Sequence, residues 1–163
     1  MNIIIWNCRG CNGEDFRRSF RALLDWYKPL LVAFVETKMQ DHQTILDDFT
    51  FNNMIQVPVN GNFGCLAALW DDSILELDEI ATTRQEIHAM VKVLTTNNSW
   101  LFSCIYASTY RESHKILWDN LKTIKDNFDG SWLLVVISTK FSTLQRKKVG
   151  DPLIRIVHKS SGT

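Results

Sequence analysis

The sequence predicts a mixed α/β fold, with helices outside one mixed sheet or outside two sheets packed together. A strand–helix–strand unit stands at each end of residues 1–137, and strands separated by turn residues lie between the two units. With 163 residues, of which 45% are hydrophobic and 22% charged, the chain has the composition of one globular domain. A chain of this size can bury a core without disulfides or structural metals.

The first unit begins with a β-branched strand over Asn2–Cys8. Asn12 is expected to cap the following helix, whose apolar residues recur at helical spacing until Pro29 ends it. Leu30–Val35 is a continuous apolar run, which is typical of a second buried strand. These three segments predict the opening strand–helix–strand unit.

The middle of the chain is predicted to be mainly strands. Gln40–Phe49 is expected to form a short helix, and turn residues around Gly61 and Asn97 separate the segments that follow. The predicted strands are Met54–Val57, Cys65–Trp70, Ile74–Ala81, Ile87–Leu94 and Trp100–Tyr106.

The second unit contains a well-marked helix. Thr109 and Glu112 have the spacing of a capping box, and Asp129-Gly130 is a typical end signal. Trp132–Ile137 is predicted to be the strand that completes this unit. The residues of the apolar stripe are Ile116, Leu117, Leu121, Ile124 and Phe128.

Residues 138–163 differ from the rest of the chain in charge and in pattern. They contain six Lys or Arg residues against the single acid Asp151, and they show no sustained period. Of the 18 basic and 18 acidic residues in the whole chain, 12 and 17 therefore lie in residues 1–137. An acidic body is not typical of a protein that binds phosphate backbones by charge alone, but it suits a site where carboxylates hold a cation.

Polar residues at the ends of predicted strands are the best candidates for a functional site. Asn7 and Glu36 each follow an apolar run, and Tyr106 ends a third strand. Functional groups are often exposed at such sheet ends. The alternative is that each residue simply marks the point where the chain meets water.

Other candidate motifs are weak. Cys8 and Cys11 form one C-x-x-C without a second pair, so core or loop thiols are favoured over a zinc site. The loop of Gly61 and Gly64 lacks a nucleotide-binding pattern, and it is not followed by a helix. The four histidines, His42, His88, His114 and His158, have no metal-ligand spacing, so a solvated or hydrogen-bonded role is expected for each.

Taken together, a series of short motifs resembles the endonuclease/exonuclease/phosphatase superfamily, and most closely the apurinic-type endonuclease domain of plant LINE-type retrotransposons. The resemblance covers residues 1–137 and therefore the N-terminal part of such a domain. The motifs are Trp6-Asn7-Cys8-Arg9-Gly10, Val35-Glu36-Thr37-Lys38, Gly64 with Ala68-Leu69-Trp70, Ile105-Tyr106-Ala107-Ser108, Leu117-Trp118 and Trp132-Leu133-Leu134.

The resemblance implies a four-layer α/β sandwich and a Mg²⁺-dependent endonuclease that acts on DNA. Glu36 would hold the metal, Asn7 would lie beside the metal and the scissile phosphate, and Tyr106 would contact that phosphate. Hard cations prefer such oxygen ligands. One departure is Cys65, where such domains often carry a glycine.

Two later family motifs are absent, so we expect weak metal binding and no cleavage. The G-D-F-N motif, whose aspartate handles the attacking water, does not follow Trp132-Leu133-Leu134, and the final S-D-H motif is missing as well. A frameshift accounts for this. Leu134–Ser138 can be encoded CTG-GTG-GTG-ATT-TCA, and one inserted G gives Leu-Gly-Gly-Asp-Phe, after which the code permits Asn-Glu-Val-Leu. We therefore predict that 138–163 is frameshifted translation, and the alternative is a real basic tail.

Three further expectations concern the cellular location, the cofactors and the alternative functions. The N-terminus does not resemble a signal peptide and no apolar run is long enough to span a bilayer, so we expect an intracellular protein, nuclear or cytoplasmic, with reduced thiols. No small-molecule cofactor is expected. The alternative functions are a small-molecule phosphatase of the same superfamily and a non-catalytic protein that binds nucleic acid through the basic tail.

Overall fold

The computed structural model describes residues 1–61, 63–107, 110–138 and 153–158, with the backbone alone described for 63–64 and 153–158. Nine strands and three helices lie in these ranges. In chain order they are β1 (Asn2–Asn7), α1 (Glu14–Tyr27), β2 (Leu31–Val35), α2 (Gln43–Asp48), β3 (Asn53–Asn60), β4 (Phe63–Trp70), β5 (Leu75–Thr83), β6 (Glu86–Val93), β7 (Ser99–Ala107), α3 (Arg111–Asn127), β8 (Trp132–Ser138) and β9 (Leu153–His158).

The strands form two mixed sheets. The first sheet has the order β3-β4-β2-β1-β9, and the second has the order β5-β6-β7-β8. The pairs β1–β2 and β7–β8 are parallel, and each is joined by a helix, as the two predicted strand–helix–strand units require. The remaining neighbours are antiparallel.

Alternating residues of β1 and β2 bury both faces of the first sheet. Ile3 and Ile5 of β1 share a core with Phe102 of β7 and with residues of β2, β4, β6 and β8, so this core lies between the two sheets. Ile4 and Trp6 face the other way and pack with Phe16 and Phe20 of α1. Because both faces are covered, β1 and β2 are continuous apolar runs rather than alternating ones.

The helices complete the outer layers. The aromatic rings of Phe16 and Phe20 in α1 stack on each other, and Phe20 meets Phe34 edge to face. Leu117 and Leu121 of α3 pack on Ile105 at the outer face of the second sheet. The order helix, sheet, sheet, helix confirms the predicted sandwich of two sheets with helices outside.

Three details differ from the sequence-based expectations. The N-cap of α1 is Gly13 rather than Asn12, and no side chain caps this helix, because the chain enters the helix one residue later than expected. Helix α3 begins after Tyr110, and Thr109 of the predicted capping box lies outside the described residues.

The third difference is the strand β9, which lies within the segment that was expected to have no regular structure. It pairs antiparallel with β1, from Asn2 opposite His158 to Asn7 opposite Leu153. Short edge strands are stabilised by their partner strand, and a local sequence pattern does not reveal that partner. No helix in the described part of the chain is long and apolar enough to cross a membrane.

Candidate functional site

Three strands bring the three predicted site residues to one edge of the sandwich. Asn7 is the last residue of β1, Glu36 directly follows β2, and Tyr106 is the penultimate residue of β7. The parallel register of β1 and β2 sets Asn7 opposite Val35, so Asn7 and Glu36 lie at the same sheet end. Asn7 is 7% exposed, and its Oδ1 accepts a hydrogen bond of 3.3 Å from the backbone N–H of Arg9.

A hydrogen bond joins the two sheets at this edge. The Tyr106 hydroxyl donates to the Glu36 carboxylate. Burial raises the pKa of the Tyr106 hydroxyl well above its usual range, and the Glu36 carboxylate raises it further, whereas the positive charge of Arg9 acts in the opposite direction. The hydroxyl therefore stays protonated at neutral pH and remains a hydrogen-bond donor.

The loops that carry the site have left-handed backbone conformations. Arg9, Glu36 and Lys38 have φ values of 51°, 58° and 57°, which residues with a Cβ atom seldom adopt. Such conformations cluster at functional sites, where the surrounding structure holds them. The side chains of Arg9 and Lys38 are exposed, and the charge of Arg9 is close enough to act on Tyr106.

Cys65 has the same left-handed geometry, with a φ of 72°. Its carbonyl oxygen accepts a 3.2 Å hydrogen bond from the backbone N–H of Thr37, so this unusual conformation supports the loop that carries Glu36. The backbone conformation gives a physical reason for the glycine that resembling domains often have at this position.

A hydrophobic residue lies where a second acidic residue is expected. The parallel register of β7 and β8 places Ile137 opposite Tyr106 and Ser138 opposite Ala107. In the reading frame that the frameshift hypothesis predicts, the aspartate of the missing motif would stand at position 137, beside Tyr106. Ile137 is 1% exposed and belongs to the core between the sheets.

The oxygen atoms of the predicted site residues could hold a divalent ion only weakly. One carboxylate, from Glu36, and one amide oxygen, from Asn7, are the metal-ligating groups that the predicted residues supply. No group of three or more His, Cys, Asp or Glu side chains that could hold a metal occurs within residues 1–61, 63–107 and 110–138. Mg²⁺ keeps several waters and is often bound by one or two carboxylates together with substrate phosphates, so this set is a minimal one.

The cysteines are thiols of the core and of the loop after β1. The Sγ atoms of Cys8 and Cys11 lie 2.6 Å apart, and all four cysteines, which include Cys65 and Cys104, are free. Burial raises the pKa values of Cys11 and Cys65, and it raises that of Cys104 to about 12. The core-or-loop interpretation of these residues is confirmed.

Two buried polar clusters were not predicted as units. In the first, Glu86 and His88 of β6 meet Ser103 of β7, and Asn120 of α3 and Trp132 of β8 complete the hydrogen bonds. Burial opposes ionisation of Glu86, but its hydrogen bonds with His88 and Asn120 outweigh burial and lower its pKa. All three central residues are buried, and the hydrogen bond from Asn120 to Glu86 joins α3 to the second sheet.

The second cluster contains Thr37 and His42, both with no exposed surface, and Gln56. Thr37 in this cluster directly follows Glu36 in the sequence. The sequence indicated only a solvated or hydrogen-bonded role for His42, and the structure establishes the hydrogen-bonded one. No spacing signal links His42 to Gln56, because that contact forms between a loop and a strand 14 residues away.

Neither a protein-family model nor a curated protein sequence matches this chain. Solved structures match at low identity. An endonuclease/exonuclease/phosphatase family protein from Bacteroides thetaiotaomicron is 12% identical with a TM-score of 0.60, over 83% of this chain and 61% of that one. The endonuclease domain of TRAS1, a telomere-specific non-LTR retrotransposon, is 9% identical with a TM-score of 0.58, over 83% and 57%.

D. rerio TDP2, solved in complex with a single-strand DNA product, is 12% identical with a TM-score of 0.58, over 85% of this chain and 59% of that one. Across the similar structures, the matched region covers 57–66% of the other chain. The chain therefore corresponds to somewhat less than two thirds of those domains.

Proposed function

We propose that this chain, which has the fold of the endonuclease/exonuclease/phosphatase family, derives from the Mg²⁺-dependent DNA endonuclease of a LINE-type retrotransposon and does not itself cleave DNA. The observation that carries the proposal is the meeting of Asn7, Glu36 and Tyr106 at one edge of the sandwich, with Ile137 beside Tyr106.

Each of the three polar residues has a distinct role in this proposal. Glu36, assisted by Asn7, would hold the ion, and a bound Mg²⁺ would polarise the phosphoryl group and stabilise its developing charge. The protonated Tyr106 hydroxyl would donate a hydrogen bond to a phosphate oxygen. Asn7, held by its hydrogen bond from the backbone of Arg9, would orient the scissile phosphate.

We expect no cleavage because of the residue at position 137. In-line hydrolysis needs a group that orients and deprotonates the attacking water, and such a group commonly contributes about 10²–10⁴-fold to the rate. The hydrocarbon side chain of Ile137 has no proton acceptor. Groups that act as a unit fail together, so Glu36 and Tyr106 alone do not restore the reaction.

The similar structures include a retrotransposon endonuclease domain and TDP2 with a DNA product, but also a mannosyl-6-phosphatase from Bacteroides thetaiotaomicron. The motifs Leu117-Trp118 and Trp132-Leu133-Leu134 favour the LINE-type endonuclease and therefore nucleic acid as the ancestral substrate. Arg9 and Lys38 are exposed cations in the loops after β1 and β2, and in this proposal they would contact phosphates of the bound nucleic acid.

Calorimetric titration with MgCl₂ tests the metal assignment. The wild-type chain is expected to bind Mg²⁺ weakly, and Glu36→Gln is expected to abolish the binding heat, because the amide cannot supply the anionic oxygen. Glu14→Gln, which removes an exposed carboxylate at the start of α1, is the matched control and should bind as the wild type does. An unchanged affinity in Glu36→Gln would show that Glu36 is not a ligand.

A further inference from the structure

The loop that carries Glu36 is held by the residue that follows it. Thr37 has no exposed surface, and its backbone makes two hydrogen bonds to other segments. Its N–H donates to the carbonyl oxygen of Cys65 at 3.2 Å, and its carbonyl oxygen accepts from the N–H of Cys11 at 3.0 Å. Thr37 therefore ties the loop after β2 to β4 and to the loop after β1.

The side chain of Thr37 makes a third connection, to His42. Thr37 Oγ1 lies 2.6 Å from His42 Nε2, and His42 Nδ1 lies 2.8 Å from Oε1 of Gln56 in β3. The backbone N–H of His42 also donates to the same Gln56 oxygen at 3.0 Å. This second contact identifies the atom as the amide oxygen, because a backbone N–H needs an acceptor.

The proton positions follow from these contacts. Since Gln56 Oε1 can only accept, His42 Nδ1 carries the proton, and in the neutral ring Nε2 is then an acceptor. The hydroxyl of Thr37 must therefore donate to Nε2. Burial lowers the pKa of His42, which is consistent with a neutral ring at physiological pH. The chain of donors runs in one direction, from Thr37 through His42 to Gln56.

Thr37 connects Glu36 to this chain of hydrogen bonds, because it directly follows Glu36 in the sequence. Glu36 and Lys38, on either side of Thr37, both have left-handed backbone conformations that must be maintained by their surroundings. Groups that orient a metal ligand from behind commonly change metal affinity by about 10–100-fold when they are removed. Thr37 is joined to Glu36 by the peptide bond and to His42 by its hydroxyl, so the two residues hold the backbone from which the Glu36 carboxylate extends.

We propose that His42 is a positioning residue, which acts through Thr37 to hold the Glu36 carboxylate against Tyr106 and toward the metal. The metal part of this inference rests on the proposed function. The contact between Glu36 and Tyr106 does not, because it involves two side chains of this chain alone.

The full-length chain and four variants test the proposal by two measurements. Thr37→Val removes the hydroxyl at nearly constant shape, whereas Thr37→Ser retains it. His42→Asn keeps a donor toward Gln56 but cannot reach Thr37, so it breaks the same hydrogen bond from the other side. It therefore provides the test if Thr37→Val does not fold. Glu36→Gln reports whether the metal site itself is correct.

The first measurement is the nuclear Overhauser contact between the Glu36 side chain and the Tyr106 ring, without metal. We expect it in the wild type and in Thr37→Ser, and we expect its loss in Thr37→Val and His42→Asn. The second is MgCl₂ calorimetry, in which Thr37→Val and His42→Asn should weaken binding by about tenfold or more and Thr37→Ser should not.

Retention of the Glu36–Tyr106 contact in folded Thr37→Val or folded His42→Asn would overturn the proposal. Undetectable Mg²⁺ binding by the wild type, or binding that survives Glu36→Gln, would overturn the proposed metal site instead. In that case the metal-free contact still decides the positioning role.

Discussion

The buried imidazole of His42 makes the stability of the fold depend on pH. Its ring is enclosed between Thr37 and Gln56, and burial lowers its pKa below 6.5, although Gln56 and the nearby Asp41 carboxylate act in the opposite direction. The unfolded chain therefore binds a proton at this residue at a higher pH than the folded chain does. The contribution of the neutral His42 ring to the free energy of unfolding has its full value above about pH 7. It decreases as the pH falls through 6.5 toward the pKa of His42 in the folded chain.

This dependence can be measured by comparing the wild type with His42→Asn. At pH 8 we expect the wild type to be more stable by about 1–3 kcal/mol, because the variant leaves buried partners unpaired. The difference should shrink as the pH is lowered toward 5, since only the wild type has the penalty of protonating His42. Urea unfolding at several pH values gives both free energies, and a difference that does not change with pH would contradict this account.

Sequence reasoning could find Asn7, Glu36 and Tyr106, because each follows or ends an apolar run and each belongs to a recognisable motif. It could not show that Tyr106 and Glu36 touch, since that contact joins two sheets across 70 residues of chain. Nor could it show that Ile137 stands beside Tyr106, which depends on the register of two parallel strands. The roles of the three site residues stay predictions.

At the scale of elements, β8 has an exposed apolar face. Leu134 and Val136 are 40% and 42% exposed, whereas the alternate residues Val135 and Ile137 are buried in the core between the sheets. In the described part of the chain, β8 pairs with β7 alone. An edge strand with exposed β-branched and aliphatic residues favours pairing with another chain.

We therefore expect the chain to self-associate with rising concentration. Val136→Lys should reduce this association, because a charge on the edge strand opposes strand pairing. Ile116→Lys introduces the same charge at an exposed position of α3 and serves as the control. Size-exclusion chromatography with light scattering distinguishes them, and a wild type that stays monomeric and melts cooperatively would contradict the expectation.

The order of the helices and strands could largely be predicted from the sequence, because most of them have clear local patterns. The helix of Glu14–Tyr27 and the strand of Leu31–Val35 have strong periodic patterns, and both occur within a few residues of the predicted bounds. The strand Leu153–His158 was missed because its stability depends on the edge of β1, more than 140 residues away in the sequence. Tertiary pairing of this kind overrides local pattern.

At the scale of the whole molecule, the main feature to explain is the change in charge and sequence pattern after residue 137. We propose that residues 1–137 are the N-terminal part of an endonuclease/exonuclease/phosphatase domain and that 138–163 is frameshifted translation. The basic residues at 140 and 146–148 lie outside the described residues. In this proposal, the pairing of Leu153–His158 with β1 reflects an available strand edge rather than selection for that sequence.

The coding DNA tests the frameshift. Restoring one G after the Leu134 codon should open a frame that reads Gly-Gly-Asp-Phe-Asn-Glu and places aspartate at position 137, opposite Tyr106. Codons that cannot regroup in this way, such as an AGT or AGC codon for Ser138, would show that the idea is wrong.

The most direct test of the central claim is a nicking assay on abasic and plasmid DNA in Mg²⁺. The wild-type chain and Glu36→Ala, purified identically, should give the same background. This outcome is expected because the chain retains Glu36, Asn7 and Tyr106 but has Ile137 opposite Tyr106, where the proposed function requires a water-activating aspartate. Metal-dependent cleavage by the wild type that disappears in Glu36→Ala would contradict the account, and it would mean that another residue of this chain activates the water.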